Sequence, residues 1–160
     1  MPELLATDAG QLADELTEAR AAFVAGLDRI LAERGPDARL SGEWGARELV
    51  AHLGYWVGNV ADAIHAVEDG RADEFGIGDG GVDARNETVA RVARETNLAT
   101  VRRREAASVE ALLERLRGLD PSLLGTPLAS WGSLHDGIRE DGAVHYRKHA
   151  AELGGGAEAT

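Results

Sequence analysis

The sequence contains no cysteine. That excludes a disulfide framework, and with it any thiolate nucleophile or thiolate metal ligand. It has no run of 18 or more apolar residues, so no membrane span is expected. The opening stretch "MPELLATDAGQL" lacks the basic region followed by an apolar run that marks a secretory signal, and the expected location is the cytoplasm. Aromatic residues make up only 4% of the chain, against 44% for apolar residues as a whole. An apolar set drawn mostly from Ala, Leu and Val favours helices over a β-sandwich, which would use more Ile, Thr, Tyr and Phe. Positive charge is outnumbered, with 17 Lys and Arg against 28 Asp and Glu. The formal net charge is −11, whereas binding to phosphate backbones needs clustered Lys and Arg, so no nucleic-acid partner is expected. The one basic run, "VRRRE" at 101–105, has acids on both sides and reads as the solvated face of a charged helix.

At 160 residues the chain is expected to form one domain with a real core. Four helical segments can be read from it. The first runs from about Asp8 to Arg34, with Asp8 and Gln11 at capping-box spacing. Leu12, Leu16, Ala19, Phe23, Leu27 and Ile30 follow its 3.6-residue period, and Gly35-Pro36 is its stop. The second, about 45–69, carries the stripe Leu49, Leu53, Trp56, Val60, Ile64 and Val67. Residues 70–82 are rich in Gly and Asp, too long for a tight helical hairpin, and read as a crossover or mobile loop. The third segment, about 83–119, is charged and weakly amphipathic. Val89, Val92, Thr96 and Ala99 begin its stripe, Val109, Leu112, Leu113 and Leu116 finish it, and a bend is expected near Arg102 to Ala107. The fourth, about 133–153, ends at Gly154, Gly155 and Gly156, ahead of a frayed tail. The fold class expected is all-α, a four-helix bundle.

Five histidines are present. His145 and His149 lie four residues apart on the last helix, about 40° apart in azimuth and one turn apart in height, so one ion can reach both. His52 lies at the border of the second apolar stripe, where a buried imidazole needs a partner. Such a residue is either a core histidine satisfied by a carbonyl or carboxylate, or a third ligand. His65 falls on the opposite side of its helix and is expected to be exposed. His135 is nearly four turns from His145, a poor ligand for the same ion. "GIGDGG" at 76–81 follows no strand and is not a nucleotide fingerprint.

The stretch "SGEWGARELVAHLGYW" (41–56) resembles the Trp-x-x-x-acid-apolar-apolar-x-His segment of the DinB-like superfamily, and "HYRKH" (145–149) resembles the His-x-x-x-His of its last helix. That superfamily includes mycothiol-dependent maleylpyruvate isomerase, bacillithiol transferases and the ClbS/DfsB-like proteins. The resemblance covers nearly the whole chain. It implies an up-down-down-up bundle with a long crossover between the second and third helices. It also implies a divalent metal, zinc or nickel, on the residues matching His52, His145 and His149. A counterpart of the second, C-terminal domain of the full isomerase is not expected, and neither is that specific activity.

Three neutral imidazoles leave a position open on such an ion, the pattern of a catalytic rather than a structural site, suited to activating water or thiol near pH 7. Asp141 lies one turn before His145 and Glu48 one turn before His52. Each is either a surface carboxylate or a group that orients an imidazole or acts as general base. Tyr146 is a candidate proton donor. Trp56 and Trp131 are candidates to contact a ligand, with Trp131, on a loop leading to the last helix, the better placed. The function implied is a metal-dependent enzyme acting on a small electrophile by thiol transfer, with a low-molecular-weight thiol such as mycothiol as co-substrate, or by hydrolysis, in detoxification or self-resistance. The alternative is a ClbS/DfsB-like protein that binds a reactive metabolite without turnover. A small-molecule partner is expected in either case, no membrane partner in any, and a homodimer is left open.

Overall fold

The structure is a computed structural model that describes residues 2–76 and 81–154, with side chains from position 9 onward in the first helix. It is all-helical: α1 (Pro2–Arg34), α2 (Ala46–Glu68), α3 (Gly81–Arg94), α4 (Leu98–Gly118), α5 (Leu134–Glu140) and α6 (Ala143–Leu153), with short 3-10 turns at Ala72–Glu74 and Pro121–Gly125. Among the described residues no strand forms; two tight turns, closed by single bridges between Ser41 and Trp44 and between Leu128 and Trp131, are the nearest approach.

The two apolar stripes of the first half are buried as their spacing requires. Leu12, Leu16, Ala19, Phe23, Leu27 and Ile30 line the inner face of α1, and Leu49, Leu53, Trp56, Val60, Ile64 and Val67 that of α2. α2 packs against α3 and α4, and α1 against α4 and α6. Among the described residues no helix is long and apolar enough to cross a membrane.

Four details differ from the sequence expectations. α1 begins at Pro2, so Asp8 lies inside the helix rather than at its cap. The third segment is two helices, broken at 95–97 where the Asn97 side chain accepts the Thr100 N–H at 2.8 Å; residues 102–107, where a bend was expected, continue α4. Its first stripe is also shifted. Ala90 and Ala93 are buried, whereas Val92 is exposed, because α3 turns its small residues to α2. The fourth segment is likewise two helices, separated at Asp141 and Gly142. A Cβ on Gly142 would overlap the Ile138 carbonyl oxygen, so only glycine permits that corner. The crossover contains the Ala72–Glu74 turn; the expected mobility of 70–82 bears also on 77–80, and the frayed tail on 155–160, which lie outside the described residues.

α2 and α4 approach closely at Gly54, where a Cβ would sit 3.0 Å from the Cα of Glu105. Alanine there would gain about 1 kcal/mol in helix propensity but would force two backbones apart, a strain costing roughly 1–3 kcal/mol. Gly54→Ala is therefore expected to lower stability in urea unfolding, with helix content by circular dichroism remaining above about half. A stabilised variant would show that α2 and α4 can separate at no cost.

Candidate metal centre

His52 comes from the first half of α2, and its side chain leaves the apolar stripe just above Trp56. His145 and His149 stand one turn apart on α6. The fold brings all three together. The Nε2 atoms of His52 and His145 are 2.9 Å apart, and those of His145 and His149 are 3.2 Å apart. One ligating nitrogen from each lies within 4.8 Å of the others. His52 and His149 are buried and His145 is half-buried.

The donor set fits a divalent ion. Nitrogens about 2.0–2.1 Å from a common tetrahedral ion stand about 3.3 Å apart, close to the separations seen. A proton shared between two of the rings can bridge only one pair, leaving the third lone pair facing them. Burial favours, for His52 and His145, the neutral form that ligation requires. Desolvation, reinforced by His149, lowers the His52 pKa to about 4. Desolvation, reinforced by His52 and His149, lowers that of His145 to about 3. The Nδ1–H of His149 donates to Glu152 Oε1 at 2.5 Å, which fixes the tautomer and turns the Nε2 lone pair toward the other two rings. The Nδ1 atoms of His52 and His145 have no hydrogen-bond partner among the described residues.

A cavity of about 310 Å³ opens on His52 and His145 and is lined also by Trp56, Trp131, Asp141 and Lys148. Trp131 reaches it from the end of its tight turn, stacked on Phe75 with centroids 5.9 Å apart. The Trp56 indole N–H donates to Asn86 Oδ1 at 2.7 Å. Burial, with Glu140 nearby, raises the Asp141 carboxyl to about 6, while the Trp131 indole N–H pulls the other way. Asp141 is thus at the cavity, although as the residue that ends α5 rather than one turn down the same helix as His145.

The other two candidates lie elsewhere. Glu48 accepts the Gly45 N–H at 3.2 Å through Oε1 and pairs with Arg94 at 3.2 Å through Oε2, which caps α2 and ties it to α3. Tyr146 is fully buried, packs edge-on to Phe23 and donates its hydroxyl to Glu105. His65 is exposed and pairs with Asp69, and His135 lines a separate cavity with Glu15 and Arg139.

Sequence reasoning missed three residues at the centre. Glu152 had a readable signal, an acid three residues after His149 on the same helix face. Trp44, whose ring centroid is 4.8 Å from that of His52, entered only as the tryptophan of the 41–56 segment. Asn86 arrives from another helix and had no local signal. Comparison with known proteins returned no matching family model, no matching curated protein and no matching solved structure.

Two outcomes follow. Glu152→Gln is expected to weaken binding of Zn²⁺ about 10- to 100-fold, measured by competition with a chromophoric chelator. Asp141, with a folded pKa above its unfolded value, holds its proton more tightly in the folded state, so its contribution to stability is lost as pH rises from about 4 through about 6. In metal-free protein, the stability gained by Asp141→Asn should be near zero at low pH and reach a plateau above the folded pKa. Urea unfolding across that range with a constant difference would remove the buried-carboxyl account.

Proposed function

We propose that the chain is a DinB-like metal-dependent enzyme acting on a small electrophile by thiol transfer or hydrolysis. The observation that carries this reading is the convergence of the His52, His145 and His149 nitrogens beside a cavity. In this reading the helices form an up-down-down-up four-helix bundle: α1 and α2 are two legs, α3 with α4 the third, and α5 with α6 the fourth. The packing of α2 on α4 and of α1 on α6 supports it.

His52, His145 and His149 would hold zinc or nickel, which would supply Lewis acidity and lower the pKa of a water or thiol bound at the open position. Asp141 faces the same cavity with a carboxyl near pKa 6, suited to accepting a proton from a nucleophile and returning it to a leaving group. Trp56 and Trp131 offer apolar ring surface whose indole N–H groups are already turned toward Asn86 and Asp141. That leaves the Lys148 ammonium at the rim to attract an anionic part of a substrate or co-substrate. A thiol such as mycothiol and a plain water are distinguished by supplying or withholding the thiol in a turnover assay.

One observation favours the metal-free alternative, a protein that sequesters a reactive metabolite. Ligating imidazoles almost always donate their second ring N–H, whereas His52 and His145 have no partner at Nδ1 among the described residues.

Metal analysis of untagged protein is expected to find close to one zinc or nickel per chain, and His149→Ala to lose both the ion and turnover while remaining folded. Protein that takes up neither ion and keeps its activity in His149→Ala would leave the sequestering reading in its place.

A further inference from the structure

Outside the histidine site, the most unusual buried group is Glu105, which is only 4% exposed. Its Oε1 accepts the Arg20 Nη2 at 2.7 Å, and its Oε2 accepts the Arg20 Nε at 2.8 Å together with the Tyr146 hydroxyl. A carboxylate on α4 is thus joined by a guanidinium from α1 and a phenol from α6. The same residue's backbone lies against Gly54 of α2, two positions beyond His52.

We propose that Glu105, through Tyr146 and Arg20, is the positioning residue that sets the roll and register of α6 and so brings His145 and His149 to His52. This rests on the metal reading above. α6 has only eleven residues and is separated from α5 by the Gly142 corner, so no long continuous helix dictates its orientation. Tyr146 follows His145 directly and points about 100° away from it around the helix, into the core, while His145 faces the cavity. On a helix whose side chains extend about 5–6 Å from the axis, a roll of 10° moves their tips by about 1 Å. Metal–ligand distances tolerate only about 0.2 Å. Phe23 against the Tyr146 ring resists separation of the helices but has no directional bond to resist a roll. The fork of Arg20 and the phenol on one carboxylate supplies that direction.

Position 105 also lies on the buried stripe of Val101, Val109 and Leu112, where an apolar side chain would pack without desolvating a charge. A buried ion pair is a weak source of stability relative to such packing, and this accounts for its presence here by geometry rather than by strength.

The test uses Tyr146→Phe and the double replacement Arg20→Met with Glu105→Leu, which removes the network without leaving a buried charge unpaired. Thermal unfolding and Co²⁺ binding are measured for each, with the visible ligand-field spectrum recorded well below the midpoint. Both variants are expected to fold, to bind Co²⁺ about 10- to 100-fold more weakly than wild type, and to show an altered spectrum. Variants that bind Co²⁺ with wild-type affinity and spectrum overturn the positioning role while leaving the metal reading intact, even if their midpoints fall. A wild-type protein that takes up no Co²⁺ overturns both. If the double variant does not fold, Tyr146→Phe, which deletes a single oxygen, decides.

Discussion

Two imidazoles one turn apart on a short helix can meet a third on another helix only if the first helix is held in both roll and register. That constraint organises the molecule. α2 is fixed by an apolar stripe extending through most of its length and is covered by α3 and α4, so His52 projects from a rigid platform. α6 is shorter and buries only Ala143, Tyr146, His149 and Leu153. Its placement depends on contacts with α1 and on the carboxylate of Glu105.

Burial then shapes the chemistry of what has been gathered. The His52 and His145 imidazoles are desolvated and sit beside the other rings, and both effects favour the neutral form that a cation needs. The same desolvation makes the bare cluster costly, because lone pairs face one another and two Nδ1 atoms have no partner among the described residues. A cation between the rings would offset that cost, which is the physical link between the arrangement and the metal reading. At the rim, Asp141 experiences desolvation as a carboxyl rather than as a base, and moves in the opposite direction toward neutrality. In the proposed reading, neutral His52 and His145 inside and a raised carboxyl at the mouth would let the site move protons.

Much of this was legible in advance. The stripes of α1 and α2 are long enough that periodicity decides the buried face, and the spacing of His145 and His149 decides that they share a side. The breaks were harder to see. Asn97 is a strong cap, but the charged run around it has no interruption in its helical pattern, so one helix was read in place of two. At Gly142 the corner leaves no room for a Cβ beside the Ile138 carbonyl oxygen, a proximity that exists only once the chain has turned. The run "VRRRE" was read as a solvated face, and this holds for Arg103 and Arg104, which are exposed. It fails for Glu105. Its spacing from Val101 and Val109 places it on the buried stripe, yet a carboxylate is disfavoured in a core unless a partner from elsewhere meets it.

The sequence by itself determined the helical class, the inner faces of the first two helices and the three histidines, because each depends on spacing along one helix. Only the tertiary structure decided that Glu105 is buried against Arg20 and Tyr146. It likewise decided that Glu48 serves a helix end instead of an imidazole, and that Asn86 and Trp44 stand beside the site. Those outcomes are set by which helices touch and at what roll, and that is a balance of packing across the whole core that no local period encodes.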